Sequence, residues 1–240
     1  MKRVLVSGGS RGIGRAITEK FASLKDEYSV AFIYAHNDSA ANEVSELCGA
    51  YPIKADLSDA DGAKKAAEEA KKHLGAVDIL INCAGISSVK PIYCISDEEF
   101  SKTLNVNLSA AFTLSRDLSG DMVSQKYGRI INIGSMWGSR GASCEVHYSA
   151  SKAGMRGLTM ALAKELGPSG ITVNCIEPGF ILTDMNSQYD EDTLNEIKEA
   201  TPLSRLGTPK DVAELVFFIA SDSASFITAQ CIGVDGGIIL

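Results

Sequence analysis

Short, nearly continuous apolar runs alternate with longer amphipathic stretches along the whole chain. The segments 3–7, 29–34, 51–54, 77–82, 128–134 and 171–176 read as strands. Apolar character on successive residues marks strands covered on both faces, as in a parallel sheet flanked by helices. Between them, the segments 15–24, 61–74, 97–126, 148–166 and 210–220 place apolar residues at helical spacing. The third is opened by Ser96 with Glu99 three residues later, a capping box. No repeat or low-complexity linker interrupts the alternation. The pattern predicts an α/β fold, a doubly wound parallel sheet with helices on both faces. At 240 residues the chain fits one domain, residues 1–240, carrying every site.

Composition narrows the functional classes. A net charge of -7 with 45% hydrophobic residues suits a soluble enzyme and disfavours a nucleic-acid surface, which needs a basic patch. The apolar run after Lys2 and Arg3 stops at Ser7-Gly8, far short of the ~20 residues of a membrane span. A cytoplasmic location is expected. The six cysteines include no C-x-x-C pair, so neither a metal site nor a disulfide framework is implied.

Two stretches carry candidate chemistry. After the first strand comes Gly8-Gly9-Ser10-Arg11-Gly12-Ile13-Gly14, and then a helical pattern. A strand, a glycine turn and a helix N-terminus present free amide N–H groups and a positive dipole end to a phosphate. Downstream, Tyr148-Ser149-Ala150-Ser151-Lys152 sets a phenol and an ammonium four residues apart on one helix face. An adjacent ammonium is expected to lower the phenol pKa and fit it for proton transfer to a carbonyl. Ligands in doubly wound sheets bind beyond the carboxyl ends of the strands. Gly8, Gly85, Ser135 and Pro178 are all expected there. His147 has no acid or second ligand spaced for it and reads as a surface or core histidine.

In order and spacing these motifs resemble the short-chain dehydrogenase/reductase family over essentially the whole chain. Asn82-Cys83-Ala84-Gly85 resembles the family's Asn-Asn-Ala-Gly, with Cys83 in place of the second Asn. Asn107, Ser135, Pro178-Gly179 and the closing segment from Ile227 to Gly237 match later motifs. The resemblance implies a Rossmann fold, a nicotinamide cofactor and ketone reduction. Tyr148 would be the general acid and Lys152 its partner, also binding the nicotinamide ribose. Ser135 would donate to the carbonyl oxygen, and Asn107 would hold a water of a proton relay. It further implies that Asp56, in Asp56-Leu57-Ser58, holds the adenine amino group. Thr183, after Pro178-Gly179-Phe180-Ile181, would hold the nicotinamide amide, and a homotetramer would form through the long helices and the C-terminal strand.

An NAD-selecting site places an acid at the end of its second strand. Here the chain reads Tyr34-Ala35-His36-Asn37, while Arg11 and Ser10 offer donors within the glycine turn. NADP(H) is therefore the expected cofactor, with Asp38 taken as a solvated turn residue. Overall resemblance points to 3-oxoacyl-[acyl-carrier-protein] reductases, in which basic residues dock the acidic carrier. Arg129 matches one of these, and Ser169 stands where a second Arg is often found. A narrower resemblance, through Ser135-Met136-Trp137-Gly138 and the loop ending in Glu145, is to elongation factor P 5-aminopentanone reductases. Trp137 and Glu145 would line the substrate pocket. Glu145 either reads a cationic substrate or faces solvent at a helix N-terminus. A non-catalytic NADP-binding protein is the alternative of a different class.

Overall fold

The computed structural model describes residues 1–186 and 189–238. Its strands are β1 (Lys2–Ser7), β2 (Tyr28–Tyr34), β3 (Tyr51–Lys54), β4 (Ile79–Asn82), β5 (Gly128–Ile133), β6 (Ile171–Pro178) and β7 (Cys231–Val234). The helices between them are α1 (Gly12–Ala22), α2 (Asp38–Cys48), α3 (Ala60–Leu74), α4 (Asp97–Leu104), α5 (Ala110–Gln125), α6 (Trp137–Arg140), α7 (Val146–Leu166), α8 (Glu191–Ala200) and α9 (Pro209–Ala220). All seven strands are parallel, in the order β3-β2-β1-β4-β5-β6-β7. Chain order reverses beside β1, which opens the crevice where such sheets bind ligands.

Alternation along β1 divides the core. Val4 and Val6 pack with Ile17 and Phe21 of α1 and with Val212 and Val216 of α9. Leu5 faces the other side, toward Ala66 and Ala70 of α3, Leu114 and Leu118 of α5, and Ala163 of α7. The sheet is thus buried on both faces, as the apolar runs predict.

Several elements differ from the sequence expectation. Helix α2 begins at Asp38, so this residue is a first-turn helix acid rather than a turn residue. Only Ala41, Val44 and Cys48 of α2 are buried, a stripe too thin to stand out as a helical pattern. Helix α8 buries none of its residues. The segment 97–126 is interrupted by a π-turn, Asn105–Ser109, that joins α4 to α5. The capping box at its start is present, with Ser96 Oγ accepting from Glu99 N at 3.2 Å. Gly236 to Ile238 follow β7, and Ile239 and Leu240 lie outside the described residues.

At the opposite end of the sheet from the crevice, Asp78 ties β1 to the start of β4. Its carboxylate accepts from Arg3 N and Nε, both at 2.8 Å, and from Arg3 Nη2 at 2.6 Å. Burial pushes this carboxyl up, but the hydrogen bonds and charge of Arg3 outweigh it, and its pKa is lowered. A depressed folded-state pKa adds stability above the unfolded value of about 4, which is lost as pH falls through the folded value. Asp78→Asn should therefore cost about 2 kcal/mol near neutral pH, less than a fully buried pair because Arg3 keeps contact with water. Urea unfolding at neutral and at strongly acidic pH should show that difference shrink in acid.

Candidate active site

The glycine turn is shaped by contacts that exclude side chains. Gly8 has φ +72, and a Cβ there would lie 2.9 Å from Ala84 Cα. A Cβ on Gly14 would meet the Gly8 carbonyl oxygen at 2.1 Å, which forces α1 to start tight against the turn. The Ser7 hydroxyl accepts from both Cys83 N and Ala84 N at 3.0 Å and so joins the ends of β1 and β4. Arg11 is the exposed N-cap of α1 and makes no side-chain capping bond, so the first-turn amides keep room for an anion. Ser10 is buried beside it, and Ile13 packs on the core beneath. Thr183 stands over Gly12, with its Cγ2 3.4 Å from where a Cβ would be.

At the end of β2 the Tyr34 hydroxyl donates to Asp38 at 2.9 Å, and Lys54 Nζ pairs with the same carboxylate at 2.7 Å. The one acid near this position is thus matched by a cation, and its pKa is lowered chiefly by Lys54. Asp56 accepts from Ser58 N at 2.9 Å beyond β3, and Leu57 is buried. Across the crevice, Gly179 N donates to Val234 O at 3.0 Å and Met136 N to Pro178 O at 3.0 Å. Ile181 is buried and bridges to Gly207. The glycine cradle and the uncapped helix start together fit the pyrophosphate of a dinucleotide.

The four candidate catalytic residues converge beyond β4 and β5. The Ser135 hydroxyl stands near enough to the Tyr148 phenol to pull its pKa down. Lys152 is buried, and its Nζ donates to Ile133 O at 2.8 Å while lying 5.6 Å from the centre of the Tyr148 ring. Asn107, fully buried in the π-turn, accepts from Ile86 N at 2.8 Å. It donates to Ile86 O at 2.9 Å and Ser151 Oγ at 3.0 Å. A Cβ on Gly85 would stand 3.5 Å from Asn107 Oδ1 and 3.6 Å from Lys152 Nζ. Gly85 therefore leaves a space that both polar groups border.

The electrostatics differ from the sequence expectation. Tyr148 is pushed up to about 12, first by burial and then by the Glu145 charge, with the Ser135 hydroxyl pulling the other way. Lys152 is lowered by burial. In this state the ammonium sits at a backbone carbonyl beneath the ring rather than at the phenol oxygen, so it does not depress the phenol. Cys83 is half-buried, and desolvation pushes its thiol up to about 12, which disfavours the thiolate.

Glu145 faces inward. It is the N-cap of α7 without capping α7's backbone, and its Oε1 accepts from Ser87 Oγ at 2.5 Å. His147 is buried, with Nε2 2.9 Å from Ser88 Oγ. Lys90 N donates to Cys144 O at 2.7 Å, completing a seam between the loop after β4 and the loop before α7. Trp137 opens the short helix α6 directly after Met136.

Sequence reasoning missed Ser7, Ser87, Ser151 and Lys54, as well as a buried amide chain. In that chain Asn82 Nδ2 donates to Asn132 Oδ1 at 2.8 Å, and Asn132 Nδ2 to Thr159 Oγ1 at 2.8 Å. The asparagines in otherwise apolar strands were its only signal. Arg129 does not present a docking cation. It is buried, stacks 4.5 Å from the Tyr127 ring and reaches Asp222 at 3.3 Å.

A family model described as Enoyl-(Acyl carrier protein) reductase matches residues 8–239. The 3-oxoacyl-[acyl-carrier-protein] reductase FabG of Aquifex aeolicus is 39% identical over 238 residues, covering 97% of this chain and 95% of the relative. Acetoacetyl-CoA reductase of Shinella zoogloeoides is 40% identical over 239 residues, covering 99% and 98%. The solved structure of a blue fluorescent protein from a metagenomic library, in complex with NADPH, superposes with a TM-score of 0.90 at 34% identity, covering 100% of this chain and 98% of that one. The chain belongs to the short-chain dehydrogenase/reductase family and is an oxidoreductase with a nicotinamide cofactor.

Gly8→Ala should both strain the turn, by about 1–3 kcal/mol, and push Ala84 away from the crevice. Cofactor titration by fluorescence should show affinity falling at least about tenfold, with a lowered melting temperature.

Proposed function

We propose that the protein is an NADPH-dependent reductase of 3-oxoacyl thioesters, of the 3-oxoacyl-[acyl-carrier-protein] reductase type. The observation that carries this reading is the convergence of Ser135, Tyr148, Lys152 and Asn107 at the carboxyl edge of β4 and β5. The curated relatives named for thioester ketones support the substrate class. For NADP(H), the support is Arg11 standing free of the α1 backbone and Lys54 pairing with Asp38, which offsets the acid that follows β2.

The bound nicotinamide supplies the hydride. Gly8, Gly12, Gly14, Ser10 and Arg11 hold the phosphates. Tyr34, Asp56 and Leu57 border the adenosine end, while Asn82, Ala84, Gly85, Pro178, Gly179, Ile181 and Thr183 border the nicotinamide end. Ser135 Oγ donates to the ketone oxygen as charge develops there. Tyr148, kept protonated by burial, gives that oxygen its proton. Lys152 then offsets the phenolate once its Nζ turns from the Ile133 carbonyl. Asn107 positions a water in the space above Gly85, and that water relays a proton from solvent. Trp137 and Glu145 line the substrate side.

With Arg129 withdrawn into the protein, carrier docking has one fewer contact, and the acyl group can arrive on coenzyme A as well as on a carrier. A second reading, reduction of a 5-aminopentanone on a lysine of elongation factor P, is favoured by Glu145, whose charge reaches Tyr148. An ammonium a few carbons from the ketone would find its counter-charge there.

NADPH oxidation with an acetoacetyl thioester should proceed in wild type and fall by about 10²–10⁴ in Tyr148→Phe. Glu145→Gln should leave it within about threefold. Turnover only of the aminoketone, weakened by Glu145→Gln, would replace the thioester by the elongation-factor substrate. NADPH binding without turnover of either would favour the non-catalytic alternative. The apolar side chains left exposed on the long helices, Phe112 on α5 and Met160 on α7, support a homotetramer. Light scattering should give the mass of four chains.

A further inference from the structure

The cysteines, scattered in sequence, include two that the sheet brings side by side. Cys175 on β6 and Cys231 on β7 are register partners in neighbouring parallel strands. Their sulfurs and a Glu177 oxygen lie within 4.8 Å of one another. Neighbouring strands run about 4.8 Å apart, inside the Cα separation of about 4.4–6.8 Å that a disulfide spans. Both side chains pack toward α7, beside Met155, Leu108 and Leu158.

The surroundings separate thiol chemistry from metal binding. Glu177, the third donor, is taken through both oxygens by Arg156 Nη1, each at 2.5 Å. A dication would find only two sulfurs and an arginine already in its place. The same guanidinium favours a thiolate at Cys231. The neighbouring Cys175 thiol and the Arg156 charge, against burial and the Glu177 charge, hold Cys231 below an ordinary thiol. Cys175 is held above an ordinary thiol, first by its partner and then by burial. One sulfur is thus poised as nucleophile and the other as the resolving thiol.

The two positions also differ in freedom. The Cys175 sulfur is wedged 2.7 Å from where a Cβ on Gly134 would stand. Cys231 is half-buried on the edge strand, which has one neighbour only. Closure to about 2.05 Å would therefore move β7 toward β6.

We propose that Cys175 and Cys231 form a peroxide-reactive dithiol that closes to an intramolecular disulfide. The Cys231 thiolate attacks one oxygen of the peroxide, breaking the O–O bond to give a sulfenic acid and hydroxide. The Cys175 thiol then attacks that sulfur and displaces its hydroxyl as water. In sum both thiols lose their hydrogens and hydrogen peroxide is reduced to two waters. Cys231 is half-buried on the edge strand, and disulfides that solvent reaches are readily reduced again by small thiols.

The test is stoichiometric hydrogen peroxide on the full folded chain, then unfolding in denaturant with alkylation of the remaining thiols, and non-reducing peptide mapping. In wild type the peptides bearing Cys175 and Cys231 should become linked and separate again with dithiothreitol. In Cys231→Ser, Cys175 should stay alkylatable, with its loss at least about tenfold slower. Exposed Cys94 serves as the comparison thiol, and it should react more slowly than Cys231. The proposal is overturned if wild-type Cys175 remains alkylatable after the peroxide is consumed. A Cys231 that ends as sulfinic acid without a link, or no faster than Cys94, would overturn it equally. These readouts use the wild-type chain, so they do not depend on how the variant folds.

Discussion

The close approach of the β1 turn to the end of β4 is the constraint on which the rest of the site rests. Gly8 can lie against Ala84 only because it lacks a Cβ. Ser7 stitches the two strand ends together by accepting two backbone N–H groups with one hydroxyl. The sheet reverses its order at this point, so two loops leave in opposite directions and leave a crevice between them. A side chain at Gly8 would press on Ala84, the neighbour of Gly85, which keeps the space shared by Asn107 and Lys152. The glycine cradle and the space bordered by Asn107 and Lys152 thus depend on one backbone contact.

The second determinant is the dryness of the cluster. Lys152 is nearly enclosed, and a buried ammonium is tolerable because the Ile133 carbonyl accepts from it. Burial raises the Tyr148 phenol and lowers the Lys152 ammonium, which favours the neutral form of each and drives the two protonation equilibria apart. In water the two groups would titrate close to one another, at about 10 and about 10.4. Here a modest change in where Nζ points is enough to change the charge the phenol feels.

The strands and the reactive side chains were legible in the sequence because their signals are local. A two-sided apolar run identifies a buried parallel strand, and Tyr148 and Lys152 share a helix face by spacing alone. What was not legible depends on distant parts of the chain. Helix α2 buries three side chains and α8 none, so neither leaves a periodic imprint. Whether Glu145 faces solvent or Tyr148 is decided by Ser87 on another loop. The opposite state of the phenol, raised rather than lowered, follows from burial, which spacing does not report. Cys175 and Cys231 became neighbours only through the pairing of β6 with β7.

The π-turn at Asn105–Ser109 adds one residue to a helical circuit and shifts the phase of everything after it. With regular winding, each residue advances about 100° around the axis. The inserted step lets Asn107 point inward at Ile86 while Ala110, Leu114 and Leu118 still meet the sheet. An unbroken helix could satisfy the amide or the core stripe, but not both. A single-residue deletion here would leave composition and hydrophobic pattern almost untouched, yet it would turn Asn107 away from Ile86 and Ser151. Length in this short segment is therefore as much a part of the chemistry as residue identity.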